Sequence, residues 1–324
     1  MKKTLLITGG AGYIGSYVAY QLERLGYQIV VLDDLSRGVK EAVKGTLVIG
    51  DVGDQKLLES LFSSYSFDAV FHFAGSISVG ESFIQTAAYY QNNVVKSLSL
   101  LNAMVKHEVK RFVFSSSAGV YGVPSGEYVR ESDPLIPINP YGNTKLMVEM
   151  ALKDYAQRYG MQYAALRYFN AAGGDPEGKF IHYPRKECNL IPIILSGLLR
   201  LPFEFQLNGM HFNTPDGTCI RDYVHVDDLY RAHLLAYEYL KENKNNLTLN
   251  LGNGEGYSNL EVIKCCEEVT GLKVSYKVGE ARLGDAPKLV ADAKLAKEIL
   301  GWGPRYCSLK EMVKHAWRAM NIVK

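Results

Sequence analysis

Apolar residues in the first part of the chain form short runs that alternate with longer stretches of helical periodicity. A short run that is apolar at successive positions predicts a strand buried on both faces, as in a parallel sheet. Five runs fit this description: Thr4–Thr8, Gln28–Leu32, Thr46–Ile49, Ala69–Phe73 and Arg111–Phe114. Because helical stretches separate them, the pattern predicts an α/β fold with a doubly wound parallel sheet.

A glycine-rich segment directly follows the first predicted strand. Its sequence is Gly9-Gly10-Ala11-Gly12-Tyr13-Ile14-Gly15, and helical periodicity continues from there to about Leu25. The glycines at 9, 12 and 15 permit a tight turn, close approach of the backbone to a pyrophosphate and close packing of helix on strand. The amino terminus of that helix would face the phosphates. The segment therefore predicts a dinucleotide-binding turn.

The second predicted strand is followed by an acid, Asp33, about twenty residues beyond the glycines. An acid at this place accepts hydrogen bonds from the adenosine ribose hydroxyls and repels a 2′-phosphate. Asp33 therefore favours NAD over NADP. Arg37 keeps NADP open as an alternative, since a guanidinium nearby could meet the phosphate.

Polar and small residues also follow the other predicted strands. Asp51 comes after the third strand, where its carboxylate could meet the adenine amino group. Ala74 and Gly75 follow the fourth and would let the backbone approach a cofactor, and Ser115–Ser117 follow the fifth. Ligands of open parallel sheets bind at the carboxyl ends of the strands, so these residues are expected to line one crevice. His72 lies inside an apolar strand and is interpreted as a core residue. Asn92 and Asn93 are predicted to open a helix that continues through Leu98 and Leu101 to Met104.

A tyrosine and a lysine stand four residues apart at the start of a predicted helix. Asn139 is a good N-cap and Pro140 suits the first helical position, so Tyr141 and Lys145 should share one helix face. An ammonium about 5 Å from the phenol would stabilise the phenolate by roughly 3 kcal/mol and lower the pKa by about two. Tyr141 is therefore a candidate acid/base.

The composition of the chain indicates its cellular compartment and excludes some classes of binding partner. The 324 residues are 47% hydrophobic, and a formal charge of +2 gives no reason to expect nucleic acid or an anionic membrane. No apolar stretch approaches the length of a membrane span. The five cysteines contain no Cys-x-x-Cys pair, which is typical of free thiols in a reducing compartment. We therefore expect a cytoplasmic protein, and no metal, since the histidines show no paired ligand spacing.

Several motifs in a fixed order resemble one known family. The motifs are the glycine segment with Asp33, the serine triplet, Tyr141 with Lys145, and Leu166–Asn170. Together they resemble the extended short-chain dehydrogenase/reductase family, and within it the UDP-glucose 4-epimerases. The similarity extends from about Thr4 to about Trp317.

The resemblance implies an isomerase that uses NAD. In that mechanism Tyr141 takes the sugar O4 proton while the C4 hydride passes to NAD, and the 4-keto sugar turns before both return. Ser117 would share the O4 hydrogen bond, and Lys145 would also hold the nicotinamide ribose. The same resemblance implies further cofactor contacts from Tyr13, Ile14, Asp34, Leu35, Ser36, Arg37, Gly38, Val52, Phe73, Asn92, Ser115 and Phe169.

Residues 1–170 are predicted to form the NAD-binding Rossmann domain, with later segments returning to it. Residues 171–324 would form a smaller α/β domain that binds a UDP-sugar. By resemblance, the substrate contacts are Asn170, Asn189, Leu190, Gln206, Asn208, Arg221, Arg282 and Asp285. The Asn189-Leu190 pair is also predicted to open an apolar helix. A guanidinium fork suits a diphosphate, although a structural ion pair is the alternative for either arginine.

Some alternatives stay open at this stage. The sequence Ser117-Ala118-Gly119-Val120 lacks the carboxylates that a sugar dehydratase needs for elimination, which disfavours that reaction. Ile77, Asn208 and Leu289 depart from residues common in the epimerases, and Leu289 leaves hexose, N-acetylhexosamine, pentose and uronic-acid substrates open. A net oxidoreductase and a noncatalytic NAD-binding scaffold are further alternatives. The resemblance implies a homodimer, with helices near 92–107 and 143–159 as candidate contacts.

Overall fold

A computed structural model of the protein describes residues 2–183, 189–199, 205–243 and 245–321. The strands in these ranges are numbered in chain order. They are β1 Thr4–Thr8, β2 Gln28–Asp33, β3 Thr46–Ile49, β4 Phe67–His72, β5 Arg111–Ser117, β6 Gln162–Tyr168, β7 Asn170–Ala172, β8 Phe205–Asn208, β9 Ile220–His225, β10 Leu247–Leu251, β11 Gly256–Ser258, β12 Tyr276–Gly279 and β13 Lys288–Leu289.

The α-helices cover both faces of the main sheet and surround a second, smaller unit. They are α1 Tyr13–Arg24, α2 Gln55–Ser64, α3 Val79–Ile84, α4 Thr86–Tyr90, α5 Lys96–Lys106, α6 Pro140–Tyr159, α7 Leu190–Leu198, α8 Val226–Glu242, α9 Asn259–Thr270, α10 Lys294–Leu300 and α11 Leu309–Asn321. None of the helices in the described part of the chain is long and apolar enough to cross a membrane.

The central sheet has seven strands in the order β10-β6-β5-β4-β1-β2-β3. Every neighbouring pair is parallel. The chain runs from β1 outward to β3, then returns to β4 and continues outward through β6. This reversal beside β1 is the arrangement of a doubly wound α/β sheet, so the predicted fold class is confirmed.

The apolar runs form strands because both faces of the sheet are covered. Leu5 and Ile7 of β1 pack into the core beneath α1 and α8, while Leu6 packs into the opposite core beneath α2, α5 and α6. Successive side chains of a strand point to opposite faces, so burial on both sides requires apolar residues at successive positions. Apolar residues at successive positions of the sequence therefore indicate a sheet that is covered on both faces.

The fifth strand is longer than its apolar run. Ser115, Ser116 and Ser117 lie inside β5 and pair with Leu166, Arg167 and Tyr168 of β6. The predicted strand, Arg111–Phe114, was therefore three residues too short, because the serines belong to the strand and do not follow it. Backbone pairing with β6 keeps these polar residues in the ladder and places their side chains at the carboxyl edge.

The later half of the chain builds the smaller unit but also contributes to the main sheet. Strands β7, β9, β11 and β13 form one small sheet, and β8 pairs with β12 in another. Helices α7, α9 and α11 pack around a separate core with Tyr223 of β9. Strand β10 joins the main sheet beside β6, and α8 covers one of its faces. The smaller C-terminal α/β unit is thus present as expected.

Two helix starts differ in how well the sequence predicted them. Helix α6 begins as expected, with the Asn139 side chain accepting from the Gly142 N–H at 2.8 Å and Pro140 in the first turn. The prediction that Asn92 opens a helix was wrong, because Asn92 lies inside a π-helical segment, Gln91–Val95, that joins α4 to α5. There the Asn93 amide bonds Ser76 and Thr144 and does not cap a helix.

The strand contributed by the later half should be important for stability. Leu249 of β10 is fully buried, so Leu249→Ala should lower the free energy of unfolding by about 2–5 kcal/mol through lost burial and a cavity. Urea denaturation measures this change. Leu25→Ala is the matched control, because Leu25 is 55% exposed, and it should change stability by less than about 1 kcal/mol. Equal effects would contradict the placement of β10 in the core.

Candidate active site

A crevice runs along the carboxyl ends of the main-sheet strands and is closed on one side by the smaller unit. Residues from both halves of the chain line it. The predicted site residues on its walls are Gly9, Gly12, Tyr13, Ile14, Gly15, Arg37, Phe73, Gly75, Ser115, Ser117, Tyr141, Phe169, Asn170, Asn189, Leu190, Gln206, Asn208, Arg221, Arg282 and Asp285.

In the described part of the chain, the other predicted residues are not among those that line the crevice. They are Asp33, Asp34, Leu35, Ser36, Gly38, Asp51, Val52, Ala74, Asn92 and Lys145. Asp33 accepts from the backbone N–H of Ala11 and of Leu35, both at 2.9 Å, and so holds its own loop against the glycine turn. The Asp51 carboxylate pairs with Lys96 at 2.6 Å. Asn92 donates to the Ser76 hydroxyl at 3.1 Å.

The glycine turn leaves no room for side chains. A Cβ at Gly9 would lie 2.5 Å from the Ala74 nitrogen, and one at Gly15 would lie 2.4 Å from the Gly9 oxygen. Gly9 also has a φ of 71°, which favours glycine. Helix α1 starts at this turn with no side-chain cap, so its first N–H groups face the crevice. The turn therefore fits the pyrophosphate of a dinucleotide.

Tyr141, Ser117 and Lys145 come together where β5 meets α6. The Lys145 ammonium lies 5.9 Å from the centre of the Tyr141 ring and donates to the Ser115 carbonyl at 2.8 Å. Ser117 accepts from the Gly119 N–H at 3.1 Å, and its hydroxyl is near enough to Tyr141 to lower the pKa of the phenol. The predicted helix thus places the phenol on the crevice and the lysine behind it.

The electrostatics of the phenol differ from the sequence-based expectation. Burial raises the pKa of Tyr141, and the nearby Ser117 hydroxyl opposes the shift only in part. Burial also lowers the pKa of Lys145 to about 8, against the opposing effect of Glu149. The prediction that Lys145 lowers the pKa of Tyr141 was wrong for the protein's own groups, because loss of water around the phenol raises the pKa, and Ser117, not Lys145, opposes that shift.

A buried ion pair behind the phenol was missed in the sequence. Arg167 of β6 lies 2.6 Å from the Glu149 carboxylate of α6, and both side chains are almost fully buried. Ser116 donates to the same carboxylate at 2.5 Å. The signal was present, since Glu149 is one turn beyond Lys145 on the same face and Arg167 lies inside a quoted motif. The pair fixes α6 against β5 and β6.

The polar residues of the smaller unit form two linked groups on the opposite wall. Arg221 donates to the Ala286 carbonyl at 2.7 Å and lies 3.5 Å from Asp285, so a structural ion pair is part of its environment. With its amide oxygen turned toward Arg282, Asn208 accepts from that guanidinium at 2.9 and 3.0 Å. Both arginines line the crevice, where their charge is available to an anion.

Two interpretations made from single residues have clear outcomes. His72 is buried between Thr8 at 2.6 Å and Ser97 at 2.8 Å, which confirms it as a core residue. Asn189 and Leu190 begin the apolar helix α7 as expected. Leu289 and Ile77, the departures from the epimerase pattern, both line the crevice. The fold and the crevice together define a dinucleotide-binding α/β protein, in which Tyr141 stays the predicted acid/base.

Comparison with known proteins places this chain in a family. The NAD dependent epimerase/dehydratase family model matches residues 5–252. The chain is 46% identical to the UDP-glucose 4-epimerase of Halalkalibacterium halodurans over 314 residues, covering 97% of this chain and 94% of the relative. The chain therefore belongs to the NAD-dependent epimerase/dehydratase family.

Solved structures agree with this placement along the whole chain. The UDP-glucose 4-epimerase from Brucella ovis in complex with NAD is 45% identical and superposes with a TM-score of 0.91, covering 97% of each chain. The enzyme from Bifidobacterium longum in complex with NAD⁺ and UDP is 34% identical and has a TM-score of 0.93, covering 98% of each chain.

The glycine turn offers a direct test of the cofactor crevice. Gly15→Ala places a Cβ against the Gly9 carbonyl and should weaken NAD binding by about tenfold or more, because turn and helix must move apart. The measurement is the amount of NAD that the purified protein retains, together with calorimetric titration. Gly303→Ala is the matched control, since its Cβ would meet nothing within 4 Å. Undiminished binding by Gly15→Ala would contradict this assignment.

Proposed function

We propose that this protein inverts C4 of UDP-hexoses, interconverting UDP-galactose and UDP-glucose, with NAD as its cofactor. The observation that carries the proposal is the position of Tyr141. Its hydroxyl faces a crevice that has a dinucleotide turn on one wall and two arginines on the other. A UDP-sugar held by its diphosphate would present its sugar to the phenol. Several relatives that the chain matches over nearly its full length are named as UDP-glucose 4-epimerases.

The residues of the glycine turn and α1 would hold the cofactor. The uncapped N–H groups of α1 suit the pyrophosphate, and Asp33 stands at the end of β2 beside the turn. Phe73, Gly75 and Phe169 line the same crevice. When bound, NAD supplies a hydride acceptor and a positively charged ring. The protein itself would position the cofactor and the sugar and would move a proton.

Tyr141 takes the proton from the sugar O4 and later returns it. The hydroxyl of its neighbour Ser117 favours the phenolate. Because burial raises the pKa of Tyr141, proton removal needs positive charge beyond what Lys145 supplies from behind. Proton transfer is therefore expected mainly when the cofactor is oxidised, which couples it to hydride transfer.

The walls of the smaller unit would hold the UDP moiety. Arg221 and Arg282 present guanidinium groups suited to a diphosphate, and Asp285 would accept from ribose hydroxyls. Gln206 and Asn208 end β8 beside Arg282 and would face the uracil. Asn170, Asn189 and Leu190 complete the proposed substrate contacts.

Elimination chemistry is the less favoured alternative. Among the crevice-lining residues in the described ranges, Asp285 is the one carboxylate, and it stands beside Arg221 on the diphosphate wall. A dehydratase requires an additional acid and base near the sugar. The Ala118–Val120 turn after Ser117 contains neither. Retention of the sugar hydroxyls is therefore expected.

The residue at position 289 bears on which UDP-sugars the crevice accepts, and Leu289 is compatible with more than UDP-galactose and UDP-glucose. Its side chain lines the crevice, and a leucine is intermediate between the bulky and the small residues found in epimerases. N-acetylhexosamines, pentoses and uronic acids remain alternative substrates. A panel of the corresponding UDP-sugars, assayed for inversion at C4, distinguishes them.

A homodimer and a cytoplasmic location are further parts of the proposal. Apolar side chains stay exposed on α6 and on the π-helical segment that packs against it, namely Met147, Met150, Tyr159 and Val95. An exposed apolar patch of this kind suits an interface between two copies. The free thiols at Cys219, Cys265, Cys266 and Cys307 support a reducing compartment.

The decisive assay asks for epimerisation without consumption of cofactor. The purified protein should equilibrate UDP-galactose with UDP-glucose with no net NADH formed. Tyr141→Phe should lower turnover by about 10²- to 10⁴-fold while NAD content stays unchanged, since only the proton acceptor is lost. Tyr155→Phe, elsewhere on α6, removes a hydroxyl that bonds Asn102 of α5 and serves as the control. Normal turnover by Tyr141→Phe would remove this tyrosine as the acid/base.

The apolar patch makes a separate prediction about assembly. Light scattering should give about twice the chain mass of 36.1 kDa. Met150→Glu places a charge on the patch and should shift the protein to a monomer, because a buried unpaired charge is strongly unfavourable. Lys264→Glu, a charge change at an exposed position of α9 in the smaller unit, is the comparison variant and should leave the assembly unchanged. A wild-type monomer would contradict the interface.

A further inference from the structure

The glycine turn lies beneath two loops that approach it from opposite sides. Strand β1 stands between β2 and β4 in the sheet, and all three end at the same edge. The loop after β2 packs on the turn through the Val39 N–H, which donates to the Ala11 carbonyl at 3.0 Å. The loop after β4 packs on the other side, where Ala74 is in close contact with Gly9.

An ion pair joins these two loops across the turn. The Arg37 guanidinium, from the loop after β2, bonds the carboxylate of Glu81 on α3, which follows β4. Arg37 lines the crevice, and both side chains are mostly withdrawn from solvent, with 32% and 20% exposed. A cofactor whose pyrophosphate lies on the turn would therefore lie beside Arg37, the member of this pair that lines the crevice.

The carboxylate is held in place before any ligand arrives. The Tyr89 hydroxyl lies 2.9 Å from the Glu81 carboxylate, and the Tyr89 side chain is 2% exposed. The same hydroxyl accepts from the Ser78 N–H at 3.0 Å, and Ser78 caps α3 by accepting from the Glu81 N–H. Because Glu81 is already oriented, pairing with Arg37 loses little side-chain entropy.

We propose that the Arg37–Glu81 pair is a strap that slows release of NAD. The inference rests on the proposed function, in which the hydride returns from the same cofactor that accepted it. Release of the reduced cofactor before the hydride returns would strand the 4-keto sugar. A strap formed by protein groups on both sides of the turn retains the cofactor without contacting the sugar. Its two members are positioning residues for retention.

The ion pair with Glu81 also bears on whether Arg37 could bind the 2′-phosphate of NADP. From the sequence, this guanidinium was a candidate partner for the 2′-phosphate of NADP. In the structure its charge is compensated by Glu81, and Asp33 stands at the end of the preceding strand. A 2′-phosphate would have to displace a carboxylate from the guanidinium and tolerate a second carboxylate nearby. The strap therefore agrees with NAD as the cofactor.

A double-mutant cycle on NAD release tests the strap. Wild type, Glu81→Gln, Arg37→Gln and the double variant are purified with bound nucleotide and moved into NAD-free buffer. The nucleotide left on the protein is then quantified over time after denaturation. Glu81→Gln keeps the size and the Tyr89 hydrogen bond but removes the charge. It should release NAD about fivefold faster, the effect of a partly buried pair worth about 1 kcal/mol.

The cycle distinguishes a strap from independent roles. If the residues act as a pair, Glu81→Gln should add almost nothing in the Arg37→Gln background. Equal acceleration in both backgrounds, or no acceleration by Glu81→Gln alone, would overturn the proposal. Glu59→Gln, which breaks the surface pair with Lys106 away from the crevice, is the control and should leave release unchanged.

Two further measurements separate a change in NAD release from a folding defect. Thermal unfolding of each variant reports whether it is folded. Should Glu81→Gln fold poorly, Tyr89→Phe removes the hydroxyl that orients the carboxylate and gives a second cycle with Arg37→Gln. Wild-type protein that holds no NAD would defeat the proposed function itself, whereas retained NAD with equal release rates defeats only the strap.

Discussion

The buried ion pair between Glu149 and Arg167 is the interaction on which the arrangement of the site depends. It joins α6, which bears the phenol, to β6, and Ser116 extends the contact to β5. Arg167 also donates to Tyr121, which in turn donates to Asn250 of β10. Removing one member of such a pair leaves a buried charge without its partner, at a cost of about 3–5 kcal/mol. The position of Tyr141 relative to the serines therefore follows from a network inside the sheet.

Desolvation decides how the reactive groups behave. The same burial that raises the pKa of Tyr141 lowers the pKa of Lys145 to about 8, so both groups are shifted toward their neutral forms. Glu149 opposes the shift at Lys145 from one turn further along α6. The phenol thus depends on charge brought into the crevice, which suits a reaction in which proton and hydride move together.

The two walls of the crevice are built by different means. The dinucleotide wall is made by glycines, short loops and helix ends that pack on one another within the main sheet. The opposite wall is made by long polar side chains, with Arg221 beside Asp285 and Arg282 beside Asn208. The two walls therefore differ in kind, with backbone on one side and charged side chains on the other.

The sequence by itself determined the five strands of the first half, the glycine turn and the start of α6. These features arise from local periodicity, backbone freedom and capping, which are written in consecutive residues. The sequence placed a helix start at Asn92, where the chain instead forms a π-helical segment in which Asn93 bonds Ser76 and Thr144, residues distant in the sequence. Only the tertiary structure decided the sign of the pKa shift at Tyr141, the burial of Glu149 with Arg167 and the pairing of Arg37 with Glu81. Each depends on residues far apart in the chain and on how much water packing excludes, which no local pattern encodes.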